Sequence, residues 1–233
     1  MSAPVCVIPG GGPGNGAALA RRFTRSGYQV AMLARDGDRL GQITESIDGA
    51  HPFACDMSQP AAVAETFDAI RRDLGPLSVL LYNAGGGQWG TIDETTTEAM
   101  EGAWRVNVLG LHAAVQASLP DMRANGGGAV IVTGATASLR GGAGFAAFAS
   151  AKAAQRSLAQ SMGRHLSPEN IHVALIIIDG VVDTPRTREM MPDRPDERFL
   201  SPDDVAESAH FLAHQPRSAW TFELDLRPYT ETW

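Results

Sequence analysis

Short apolar runs, many of them β-branched, alternate along this chain with longer stretches whose apolar positions recur at helical spacing. The runs Pro4–Pro9, Gln29–Ala34, His51–Ala54, Ser78–Tyr82, Ala129–Thr133, His172–Ile178 and Trp220–Leu226 read as strands. Several are apolar throughout, as strands covered on both faces are. The last alternates apolar and polar residues and reads as an edge strand. Helical periodicity covers Gly16–Ser26, Arg39–Ser46, Ala61–Leu74, Thr97–Asn125, Phe148–Leu166 and Pro202–Ala213. This alternation predicts βαβ units with right-handed crossovers, hence an α/β fold built on a doubly wound parallel sheet of about seven strands with helices on both faces. Such a sheet opens its ligand crevice beyond the carboxyl ends of its strands. No linker, repeat or low-complexity segment interrupts the pattern, and residues 1–233 read as one domain.

Composition narrows the partners. The 233 residues are 44% hydrophobic and 19% charged, with a formal net charge of −7. An acidic surface repels nucleic acid and anionic membranes, which leaves small molecules as the fitting partners. No apolar stretch approaches the roughly 18 residues of a membrane span, and Met1–Ile8 lacks the basic start of a leader. Cys6 and Cys55 have neither metal-site nor disulfide-framework spacing, so both read as buried thiols in a reducing, cytoplasmic setting.

The loop after the first strand reads Pro9-Gly-Gly-Gly-Pro-Gly-Asn-Gly16 and opens a helix. Glycines there let the backbone turn tightly and approach a pyrophosphate, while the helix start offers free N–H groups and a positive dipole end. The second strand ends in Ala34-Arg35, with no carboxylate to hold a ribose 2′-hydroxyl and a guanidinium able to pair with a 2′-phosphate. The alternative for Arg35 is pairing with Asp36 or Asp38. Farther on come Asn83-Ala-Gly85, Val106-Asn-Val108 and Phe148-Ala-Ser-Ala-Lys152. Taken together these segments resemble the short-chain dehydrogenase/reductase family, in which the dinucleotide domain is Rossmann-like. The resemblance implies a cofactor site at Gly10, Gly14, Asn15, Gly16, Arg35, Asp56, Met57, Asn83, Ala84, Gly85, Lys152 and Thr184. It also implies NADP over NAD, a homodimer or homotetramer through the terminal Trp220–Pro228 region and the two long helices, and a substrate lid over Pro185–Leu200. Pro9 stands where the family has threonine, and Tyr82 where it has the first of two asparagines.

The same resemblance implies a catalytic tetrad of Asn, Ser, Tyr and Lys, of which this chain keeps Asn107 and Lys152. Phe148 stands at the tyrosine position and Ala135 at the serine position. A phenylalanine supplies a ring without a proton, and losing general acid help removes about 10²–10⁴-fold of rate. Thr136 and Ser138 are the nearby hydroxyls, either for a substrate oxygen or as turn caps. Asp179, in place of the family's proline before Gly180, is either a displaced proton donor or a turn acceptor. His210 and His214 sit one helical turn apart without a third ligand, so they read as a solvated helix face and no metal is expected. Three functions follow from different classes. One is an NAD(P)H-dependent oxidoreductase acting on a small carbonyl or activated C=C compound with a non-standard proton donor. The second is a catalytically silent dinucleotide-binding pseudoenzyme that serves as a sensor or assembly subunit. The third is a purely structural subunit without nucleotide.

Overall fold

The computed structural model describes residues 3–231. Seven strands form one wholly parallel sheet: β1 (Val5–Pro9), β2 (Gln29–Ala34), β3 (Ala50–Ala54), β4 (Leu77–Tyr82), β5 (Gly128–Ala135), β6 (Ile171–Ile178) and, later in the chain, β9 (Glu223–Leu226). Their order is β3-β2-β1-β4-β5-β6-β9. The chain winds outward from β1 in one direction and then, from β4, in the other, so the carboxyl ends of β1 and β4 flank the crevice predicted for a doubly wound sheet. A separate pair, β7 (Val181–Val182) and β8 (Phe199–Leu200), closes on itself nearby.

Helices α1 (Asn15–Thr24), α2 (Gly37–Thr44) and α8 (Pro202–Ala213) cover one face of the sheet. Helices α3 (Pro60–Asp73), α5 (Gly110–Ala124) and α6 (Ala146–Leu166) cover the other. β1 and β6 are buried along their whole length, which is why their sequences are apolar without alternation. β3 is half-exposed and carries Pro52, which an edge strand tolerates because its missing N–H faces no ladder partner. β9 is the opposite edge, as its alternation predicts.

Three sequence-based expectations are corrected. The helix expected over Thr97–Asn125 is instead α4 (Thr97–Trp104), one π-helical turn over Arg105–Leu109, and α5. The final strand begins at Glu223 rather than Trp220. Trp220 stacks on His172 at 4.7 Å, and the Gln215 side chain takes the Thr221 N–H, so that stretch cannot join the ladder. The solvated face expected for His210 and His214 holds for His214, which is exposed, whereas His210 is half-buried. Their rings stack at 4.0 Å, His210 packs edge-on to Phe23 of α1, and their Nε2 atoms meet Ser26 and Tyr28. The segment expected as a lid contains α7 (Pro185–Met190) and β8, with the Arg188 guanidinium 4.1 Å from the Phe199 ring and paired to Asp183 and Asp196.

Candidate active site

The glycine loop is built by close approach. Gly10 has φ 93°, and a Cβ there would come within 2.6 Å of the Ala84 nitrogen. A Cβ on Gly16 would run into the Gly10 carbonyl oxygen, so α1 can start against the loop only with glycine at that place. Asn83 ties the two crevice walls together: its N–H donates to the Pro9 carbonyl and its side-chain amide to the Gly10 carbonyl at 2.8 Å. α1 begins without a side-chain cap and without an acidic residue in its first turn, and the Oδ1 atom of Asn15 is buried without a partner. The first-turn N–H groups, left without a side-chain cap, suit an anion.

Between these walls lies a cleft of about 580 Å³. Gly10, Ala84 and Gly85 line its loop side, and Arg35, Asp56, Met57 and Asn83 complete it. Arg35 is exposed and makes no ion pair among the described residues, while Asp36 caps α2 by accepting from the Arg39 N–H at 3.0 Å. The pairing of Arg35 with Asp36 is therefore not what the fold holds. Gly14 and Thr184 meet outside that lining: a Cβ on Gly14 would lie 2.6 Å from the Thr184 methyl group, and Thr184 caps α7.

Lys152 is buried at the inner end of α6. Its ammonium donates to the Thr133 carbonyl at 2.8 Å and to Gln155 Oε1 at 2.9 Å. Desolvation lowers its pKa from 10.5 to about 7. A Cβ on Gly85 would fall 3.3 Å from Nζ and 3.4 Å from Asn107 Oδ1, so both polar atoms stand directly behind the cleft wall. Asn107 donates its two amide hydrogens to the Gly86 and Ala103 carbonyls, at 2.6 and 2.8 Å, and its Oδ1 is buried without a partner. Phe148 sits one turn before Lys152, its ring centroid 5.9 Å from Nζ and its Cβ 3.0 Å from where Gly87 would carry a side chain.

The structure thus brings Asn107, Phe148 and Lys152 together around Gly85–Gly87, and it occupies the other candidates elsewhere. Ser138 is buried, and its hydroxyl accepts from the Ala135 N–H at 3.1 Å, which is the turn-capping role. Thr136 donates to Asp179 at 2.5 Å, and Asp179 also faces Arg140 at 3.8 Å and Arg227 at 3.5 Å. Those contacts engage the Asp179 oxygens with protein donors, the arrangement of a structural acceptor. Two hydrogen-bond partners of Lys152 were missed by sequence reasoning, Gln155 and the Thr133 carbonyl. Gln155 lies three residues after Lys152 on one helix, the spacing at which side chains meet, and that was the available signal.

Sheet order, the glycine cradle and the placing of Asn107 and Lys152 behind Gly85 are those of a dinucleotide-type α/β fold, and comparison with known proteins gives the family. The chain matches the short chain dehydrogenase family over residues 4–195 and belongs to that family. Human 3-oxoacyl-[acyl-carrier-protein] reductase is 27% identical over 218 residues, covering 91% of this chain and 92% of its own. A Xanthobacter autotrophicus protein named inactive 2-(S)-hydroxypropyl-CoM dehydrogenase 2 is 31% identical over 208 residues, covering 83% of this chain and 90% of its own. A metagenomic short-chain oxidoreductase solved in complex with NADP is 26% identical and superposes with a TM-score of 0.84 over 98% of each chain.

Proposed function

We propose that this chain is an NADP(H)-dependent oxidoreductase for a small carbonyl or activated C=C compound, with Lys152 in place of a phenol as the group that governs proton delivery. The observation that carries this reading is a buried lysine with a pKa of about 7 directly behind a glycine-walled cleft. Gly10, Gly14, Asn15 and Gly16 with the start of α1 would hold the pyrophosphate, Arg35 the 2′-phosphate, and Asp56 with Met57 the adenine. Asn83, Ala84, Gly85 and Thr184 would line the rest of the cofactor. When bound, NADP(H) supplies or accepts hydride at its nicotinamide ring. Its binding to the metagenomic relative supports the cofactor assignment.

Asp179 serves this reading poorly as proton donor, since Thr136 and two arginines already engage it. Reduction of an activated C=C bond fits a site without a phenol, because the proton then reaches carbon rather than oxygen. The exposed side chains of Met100, Trp104 and Leu109 on α4 and the π turn support self-association through that face. The second reading, a silent dinucleotide-binding protein, draws on Phe148, which fills the tyrosine position, and on the relative whose name declares it inactive.

The test is direct. NADPH should enhance its fluorescence on binding and raise the melting temperature; absence of both removes the two readings together. A panel of aldehydes, ketones, quinones and enones then separates them, with turnover expected for the first. Phe148→Tyr combined with Ala135→Ser should raise carbonyl reduction by about 10²-fold or more, the size of restored general acid help. No gain with NADPH still bound would mean that the pocket differs at further positions.

A further inference from the structure

Gln155 is a fully buried polar side chain in the apolar interior, and burial of an amide is costly unless both of its ends are bonded. Both are. Its Nε2 donates to the Asn107 carbonyl at 2.9 Å, and its Oε1 accepts from Lys152 Nζ at 2.9 Å. The neighbours fix the direction of the amide: a carbonyl only accepts, so the NH₂ must face Asn107, which turns the oxygen onto Lys152. The Asn107 carbonyl belongs to the π turn over Arg105–Leu109, where the Gly110 N–H bonds five residues back to Arg105 instead of four back. A π turn displaces carbonyls from the ordinary helical ladder, and here Gln155 collects one of them.

We propose that Gln155 is a positioning residue for Lys152, accepting one of its hydrogens from a place anchored on the π turn so that the remaining hydrogen is directed at the cleft; this rests on the proposed function above. An ammonium has three hydrogens, and a neutral amine keeps two. Thr133 and Gln155 take two in either state. The third position on nitrogen is thus the one that gains or loses the proton, and it lies on the side of Gly85, a residue of the cleft wall. The groups that face Nζ are the Thr133 carbonyl from β5, the Gln155 amide and Phe148 ring from α6, and the Asn107 amide from the π turn. None of these is charged, so the Gln155 dipole is a sizeable share of what stabilises the ammonium.

The chain offers a clean probe, because of its 19 lysine and arginine residues Lys152 alone is lysine. Full-length protein carrying ¹³C-labelled lysine gives a single side-chain Cε resonance whose pH titration reports Lys152 directly. Gln155→Leu removes the acceptor and should lower the titration midpoint by about one pH unit, whereas Gln155→Glu adds a negative charge and should raise it by about one unit or more. A residue that merely fills space would leave the midpoint in place while lowering the melting temperature. In the unsubstituted chain the Gln155 side-chain amide resonances should titrate with the same midpoint as Lys152, so the coupling is read even if a variant fails to fold. Unmoved midpoints in folded variants, or Gln155 amide signals indifferent to the lysine titration, overturn the positioning role. Adding NADPH should shift the lysine resonance of the unsubstituted chain. If it does not, the dinucleotide reading fails, separately from the Gln155–Lys152 coupling.

Discussion

Lys152 places a titrating amine almost out of reach of water, and its protonation therefore bears on folding as well as on chemistry. Burial lowers its pKa from 10.5 to about 7, so between those values the unfolded chain binds more protons at this residue than the folded one. Stability contributed through this group must rise with pH across that window and be lowest below pH 7. Denaturant midpoints of the unsubstituted chain should accordingly climb relative to those of Lys152→Met between pH 7 and pH 10; parallel curves would show an amine that titrates normally. At this scale the sequence tells part of the story. Asn107 and Lys152 are readable because they sit in short motifs. Gln155 and Gln160 look alike in the sequence, yet packing of α6 against the π turn buries the first and leaves the second half-exposed. The occupied state of Asp179 was equally hidden, since Arg140 and Arg227 reach it from distant parts of the chain.

The element that departs most from its sequence pattern is the break between α4 and α5. Helical periodicity runs on through residues 97–125 because nothing local forbids it: no proline or turn signal interrupts Arg105–Leu109. The break comes from tertiary donors. Tyr82 donates its hydroxyl to the Val106 carbonyl at 2.5 Å, Gln155 takes that of Asn107, and Gly110 packs so closely on the Met57 carbonyl and the Tyr82 hydroxyl that no side chain fits. Tyr82→Phe would keep the ring in its fully buried place and remove one hydrogen bond from the Val106 carbonyl. The expected loss is about 0.5–1.5 kcal/mol, the net worth of such a bond, read from urea unfolding. A loss indistinguishable from zero would mean that the π turn holds without its phenol. Weaker NADPH binding in the same variant would show that the turn also sets the cleft wall through Asn107.

For the molecule as a whole, seven parallel strands and the order β3-β2-β1-β4-β5-β6-β9 place the cleft before any side chain is considered. That much follows from apolar runs without alternation and from the glycine loop, which is why the sheet was predictable to within a few residues at most strand ends. Assembly is decided at this scale too. Trp104, with 46% of its surface exposed, stands on α4 beside exposed Met100 and Leu109, an apolar area costly to leave in water. Sedimentation should show a dimer or larger for the unsubstituted chain, and Trp104→Glu should shift it toward monomer; a monomeric parent would dismiss this face as an interface. The solitary lysine has a last consequence. Away from the site the lysine-and-arginine charge is carried by guanidinium groups, which keep their protons through any alkaline range a protein survives. Mild base therefore leaves the guanidinium cations as they were and discharges the lysine behind Gly85, and amine-seeking crosslinkers meet no lysine on the outside.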